Sequence, residues 1–201
     1  MKKRTVGIFI FDNAEVLDFA GPFEVFSVTN ELNNFELFDV FTVAKTTETI
    51  SAVNGLKIKP HYGFDDHPVI DVLILAGGVG TRKLLHDEST LAWIRKQIDG
   101  AQLTLSICSG ARLLAKLGYL DGKEYCTHHE VYDHVKELAP TGIPQPHLRF
   151  IKTSELLYTS GGISAGIDLS FHVVEELLGT TIANETARYM EYTRIRQTSH
   201  V

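Results

Sequence analysis

Three continuous apolar runs punctuate this chain, at residues 6–11, 69–76 (broken only by Asp71) and 103–107, and each leads through a turn signal into apolar positions at helical spacing. A strand that is apolar at every position is buried on both faces. Alternation of such strands with helices predicts a mainly parallel sheet sandwiched between helix layers. Residues 35–44 alternate enough to add a further strand, and Asn54-Gly55, the strongest two-residue turn signal present, predicts a β-hairpin over residues 51–62 at the sheet edge. Helical spacing predicts helices over 16–30, 89–99, 109–117, 130–138, 166–178 and 182–196. The prolines of 140–146 predict a loop, followed by two strands, 147–153 and 156–159, joined tightly. The expected fold class is α/β, a flavodoxin-like doubly wound sheet with an edge β-hairpin.

Length and charge narrow the picture. A chain of 201 residues with 44 % hydrophobic positions suits one sizeable core, so a single domain over 1–201 is expected. The formal net charge of −6 repels phosphate backbones, and the about twenty residues after Gly179 make one closing helix, too little for a helix-turn-helix domain; no nucleic-acid partner is expected. The first apolar stretch has the length of a strand and stops at Asp12-Asn13, which predicts neither a signal peptide nor a membrane span. Cys108 and Cys126 read as free thiols in a reducing, cytoplasmic setting.

Candidate chemistry centres on Cys108. The apolar strand 103–107 runs straight into Cys108-Ser109-Gly110 and a helical segment, the pattern of a nucleophile elbow, which holds a reactive atom at a sharp turn. A helix start there favours thiolate over thiol. Read blandly, Cys108 is instead a small buried hydrophobe. Asp18 lies among Val16, Leu17, Phe19, Ala20 and Phe23, so its carboxyl group must be paired, hydrogen-bonded or protonated; Pro22, four residues on, interrupts that turn of helix. Asp18 could otherwise be a helix-start residue meeting the dipole, and Glu15 and Glu24 are read as solvated or capping.

Ala76-Gly77-Gly78-Val79-Gly80 ends the second apolar strand. In a doubly wound sheet that turn meets the Cys108 elbow at the carboxyl ends of the strands, which makes Gly77, Gly78 and Ser109 candidates for substrate binding and the Gly78 and Ser109 N–H groups for an oxyanion hole. A plain tight turn explains the glycines equally. Of Cys126-Thr127-His128-His129, His128 is the candidate acid, base or ion-pair partner of the thiol. His129 with Asp133 has metal-ligand spacing but no third ligand, so no metal is expected, and His129 and His134 are read as surface polar residues. Phe19, Phe23, Phe26 and Phe171 fall at core positions, residues 161–169 read as a closely packed helix cap, and Asp168 is not expected to be catalytic.

Five motifs in order, Asp18-Phe-Ala-Gly-Pro-Phe-Glu-Val-Phe, Ala76-Gly-Gly-Val-Gly, Ile107-Cys-Ser-Gly-Ala, Cys126-Thr-His-His and Gly161-Gly-Ile-Ser-Ala-Gly-Ile-Asp-Leu, resemble the DJ-1/PfpI superfamily from Val6 to Leu178. Within it, Asp18 with Gly21-Pro22 and the Cys-Ser-Gly elbow resembles the branch of isonitrile hydratases and of the amidase-like halves of AraC-type regulators. The resemblance implies a Cys108 nucleophile, an acidic partner at Asp18, an oxyanion role for the residue after the cysteine, no cofactor, a small-molecule substrate and a homodimer with residues 16–30 as one contact. It implies a cysteine-dependent hydratase or hydrolase of a small carbon–nitrogen substrate, with a redox- or metabolite-sensing module as the rival and a peptidase or amidase third. Two departures stand out: Ser109 where isonitrile hydratases carry Thr, and His129 where the family often has Trp or Pro. No counterpart of the regulators' DNA-binding extension is expected.

Overall fold

The structure, a computed structural model, describes residues 2–195. β1 (Arg4–Phe9) leads into α1 (Val16–Glu31), which returns the chain to β2 (Phe38–Val43), parallel to β1 in register Arg4 to Phe38. After β3 (Ile50–Ser51) and β4 (Lys57–Ile58), β5 (Val72–Leu75) pairs with the other side of β1. A short α2 (Thr81–Leu84) and α3 (Glu88–Gly100) precede β6 (Leu103–Ser106); a single tight turn, Cys108–Gly110, then starts α4 (Ala111–Lys116). β7 (Glu124–Tyr125), α5 (Tyr132–Leu138) and β8 (Ile143–Pro144) lead to the antiparallel pair β9 (Phe150–Ser154) and β10 (Leu157–Ser160), and α6 (Ala165–Leu178) and α7 (Thr180–Tyr189) follow.

The main sheet runs β2-β1-β5-β6-β10-β9, parallel except for β9. This is the expected α/β class, and its order explains the apolar runs. β1, β5 and β6 lie inside the sheet, so Ile8, Leu73, Ile74, Leu75 and Leu105 are sealed on both faces. Phe19, Phe26 and Phe171 are core, as expected, while Phe23 is half-buried and stacks on His61. Among the described residues no helix is long and apolar enough to cross a membrane.

Several expectations change. The Asn54-Gly55 hairpin forms, but among the described residues β3 and β4 pair only with each other, and the chain beyond them touches the β2 edge at Tyr62. The hairpin is held instead on the β1–α1 loop, where Asn13 N–H donates to Ser51 O at 2.8 Å and Val53 N–H to Ala14 O at 2.9 Å. Pro22 does not break α1, because it removes only one bond from a helix packed against α6, α7 and β2. The proline loop contains β8, and α2 has no warning in the apolar pattern. The final helix stops at Tyr189, well short of 196, a residue outside those described. Glu191 takes the left-handed conformation (φ +50°), Tyr192 N–H returns to Ala187 O at 2.9 Å, and Tyr192 Oη reaches Asp168 Oδ1 at 2.9 Å.

Candidate active site

β1, β5, β6 and β10 all end on the same side of the sheet, so the loops after them converge. Cys108 follows β6 with φ +56°, an uncommon conformation for a residue with a side chain. Its neighbours fix it there: Cys108 N–H donates to Gly161 O at 3.1 Å, and Thr127 Oγ1 donates to Cys108 O at 2.8 Å. Gly110 is required by crowding, since a Cβ would stand 2.6 Å from Leu75 O. Cys108 as a whole is 7 % exposed.

Asp18 lies in the first turn of α1 and is fully buried. Its Oδ2 accepts from Gly77 N–H and its Oδ1 from Ile163 N–H, each at 3.0 Å, and the Cys108 thiol donates to the same carboxylate. Ile163 donates from a left-handed conformation, φ +58°, which for a β-branched residue is strained backbone aimed at the carboxylate. Burial outweighs these hydrogen bonds and, with the nearby charge of Glu15, pushes Asp18 up to about 7. Burial, and then the Asp18 charge, raise the Cys108 thiol above its ordinary range; the Ser109 N–H hydrogen bond to sulfur works the other way and is the smaller effect. The expected acidic thiol is therefore corrected. At neutral pH the pair stores protons rather than standing as a free thiolate.

Gly77 and Gly78 line this site with their N–H groups already engaged. Gly77 N–H serves Asp18, and Gly78 N–H donates to Ser109 Oγ at 2.8 Å while Ser109 Oγ donates back to Gly78 O at 2.9 Å. The expected oxyanion donor at Gly78 is therefore taken, and the reason is the Ser109 hydroxyl. Close approach still demands glycine at 77, where a Cβ would lie 2.6 Å from both Asp18 Oδ2 and Ser109 N and 2.7 Å from Cys108 Cβ.

His128 is half-buried beside the thiol. A Cβ on Gly162 would meet His128 Cδ2 at 2.3 Å and Cys108 Sγ at 3.2 Å, so ring and sulfur flank the same bare glycine. Nδ1 of His128 accepts from Glu130 N–H at 3.3 Å, and burial followed by His129 holds this imidazole below its usual range, neutral at pH 7. His129 is exposed and its ring lies tilted against it, centroids 4.2 Å apart. His134 is not the expected surface residue: it is half-buried and its Nδ1 accepts from Arg112 Nε at 2.9 Å.

Sequence reasoning missed three participants. Glu15 acts on both Asp18 and His128. Thr81 donates to Gly78 O at 2.8 Å and accepts from Arg112 Nη1 at 3.1 Å. Arg112 had a legible signal, as the polar member of Ala111-Arg112-Leu113-Leu114-Ala115, otherwise wholly buried and apolar. The other two had none, because residue type alone does not say which way a side chain at a helix start turns.

The sequence profile of the DJ-1/PfpI family matches residues 4–176. The chain is 32 % identical over 187 residues to the isonitrile hydratase of Pseudomonas putida, a match covering 93 % of this chain and 78 % of that protein. It is 26 % identical over 193 residues to the HTH-type transcriptional regulator GbdR of Pseudomonas aeruginosa, covering 96 % of this chain but 52 % of the regulator, about half its length. A THiJ/PfpI family protein from Pseudomonas syringae superimposes with a TM-score of 0.85 at 25 % identity, covering 99 % of this chain and 79 % of that one. Drosophila melanogaster DJ-1beta shares the fold, with a TM-score of 0.78 at 20 % identity over 95 % of this chain and 99 % of that one.

Proposed function

The chain belongs to the DJ-1/PfpI family, and from that premise we propose that it is a cysteine-dependent hydratase or hydrolase of a small carbon–nitrogen substrate, with conversion of an isonitrile to an N-substituted formamide as its leading reaction. The observation that carries this reading is the buried pair itself: a Cys108 thiol donating to an Asp18 carboxyl group whose pKa is about 7. Such a pair holds protons at neutral pH, which suits a substrate whose terminal carbon must gain both a nucleophile and a proton.

Cys108 Sγ bonds to the isonitrile carbon while Asp18 passes the proton released from the thiol to that carbon, giving an enzyme-bound thioimidate. Asp18, now a carboxylate, takes a proton from water as the water oxygen adds to the same carbon, and the proton is passed on to nitrogen. The carbon–sulfur bond then breaks, the hydroxyl proton returns to sulfur, and the formamide leaves with the thiol restored. Ser109 N–H, beside the sulfur, supports charge on Sγ as it attacks and departs. Neutral His128 borders the entering substrate and orients the water. Gly77 and Gly78 shape the floor. No step needs a cofactor.

Its partners, on this reading, are the small-molecule substrate and a second copy of the chain, in a cytoplasmic setting suited to two free thiols. The net charge of −6 supports leaving nucleic acid out. The half-buried strip Val16, Ala20 and Phe23 on α1 supports the dimer. The whole of 1–201 acts as one domain. Incubation of the purified protein with isonitriles, nitriles, amides and glyoxals, followed by chromatography for product, tests the reading. Formamide formation that disappears in Cys108→Ala is expected; full turnover in that variant overturns it, as does an inert protein whose Cys108 is readily oxidised by peroxide, the behaviour of a sensor.

A further inference from the structure

Arg112 stands one helical turn beyond Cys108 and is only 4 % exposed. A guanidinium taken out of water is costly unless a negative group meets it. Among the described residues Arg112 pairs with none. Nη1 donates to the Thr81 hydroxyl, which itself donates to Gly78 O, and Nε donates to His134 Nδ1. Arg82 adds like charge nearby, while Glu15 and Glu137 act on His128 and His134 without pairing with Arg112. Cys108 reaches this guanidinium with a negative charge only when ionised, and the guanidinium acts in turn on His128. A fixed positive charge without a counter-ion therefore lies within electrostatic reach of both residues that border the reacting space.

Ionising the thiol does not account for it, since Cys108 sits above its ordinary range despite the guanidinium. Bracing does not require charge either, because both of its acceptors are neutral. We infer that Arg112 is the anion-recognition residue of this site, and that the substrate is a small electrophile carrying a carboxylate, which takes the guanidinium while its reacting carbon lies at Cys108 Sγ. The planar fork of arginine matches the two oxygens of a carboxylate. The substrate half of the inference rests on the enzymatic reading above; the anion site does not.

Alkylation of Cys108 by iodoacetate and by iodoacetamide, followed by mass spectrometry of the Cys108 peptide, separates charge recognition from reactivity. In both reactions Sγ displaces iodide from the reagent's methylene carbon and the thiol proton is released through Asp18 to solvent, so the two reagents differ in the carboxylate alone. The iodoacetate-to-iodoacetamide rate ratio should fall about tenfold or more in Arg112→Gln and partly recover in Arg112→Lys, the scale of a charge-assisted hydrogen bond. An unchanged ratio, with both reagents slowed alike, overturns the inference. Should Arg112→Gln fail to fold, the wild-type protein still decides: acetate and formate should slow alkylation by iodoacetamide where chloride at equal ionic strength does not, and absence of that protection overturns it. These readouts need no turnover, so failure of the hydratase reading leaves them intact. Hydration of isocyanoacetate in preference to its methyl ester is expected if both hold, and preference for the ester sinks the carboxylate.

Discussion

At residue scale, Asp18 and Cys108 depend on one another. Three hydrogen bonds hold the Asp18 carboxylate, yet burial wins and leaves it near 7, so only its carboxylate form is free to take the Cys108 thiol proton and pass it on. Turnover should therefore rise as pH rises through about 7, and the pH–rate profile of kcat/KM checks it. The same shift makes a statement about stability. A carboxyl group raised from 3.8 favours the fold in its protonated form, so that contribution is fully present below about 4 and is lost as pH rises through about 7. Relative to Asp18→Ala, the wild-type protein should lose on the order of 2–4 kcal/mol between pH 4 and pH 8 in urea titrations. Both residues were legible in the sequence for physical reasons: a nucleophile between an apolar strand and a glycine turn, and a carboxyl group with apolar neighbours on either side. The acidity of the thiol was not legible, because it turns on how deeply the elbow is covered and on a carboxylate 90 positions away in the chain.

At the scale of elements, the site is a set of strand ends whose turns touch. Gly77 and Gly162 show how differently two such turns respond to one methyl group. A Cβ at 77 meets the Ser109 backbone nitrogen and the Asp18 carboxylate at 2.6 Å, atoms held by the sheet and by α1, so Gly77→Ala must push the elbow away from the acid. Loss of turnover with about 1–3 kcal/mol of destabilisation is expected, read by assay and by denaturant midpoint. At 162 the nearest obstacle is the ring of half-buried His128, which can swing aside. Gly162→Ala should thus leave the denaturant midpoint nearly unchanged while lowering kcat; a normal kcat would show that His128 takes no part. The main strands and α1 could be read from apolar runs because each is buried by the sheet or its helix layers. β7, β8 and α2 could not, being pairs or single turns whose bonds run to distant segments, such as Ile143 N–H to Lys123 O at 2.9 Å. The last helix was overrun for the same kind of reason. Its apolar spacing continues past Tyr189, but the pull of Asp168 on Tyr192, at 2.9 Å, turns the chain back.

For the whole molecule, the proposed dimer turns on α1. Its buried side carries Asp18, Val25 and Phe26 into the core, α6 and α7 pack along it, and Glu24 is exposed. Between these lie Val16, Ala20 and Phe23, spaced three and four apart on one stripe and only partly covered by the chain itself. Apolar side chains left half-open along a helix gain when a second copy removes the remaining water, and a twofold contact would set the stripe against itself. Sedimentation of the wild-type protein should therefore show a dimer. Ala20→Arg should convert it to a monomer, because a charge placed in the middle of the stripe would be buried against its own copy. Turnover should largely survive in that monomer. Asp18 is anchored by Gly77 and Ile163 of its own chain, and Cys108 by Gly161 and Thr127, so the reacting groups do not wait on the partner for their positions. A wild-type protein that sediments as a monomer would remove the stripe as a contact. A dimer untouched by Ala20→Arg would place the contact elsewhere on the surface.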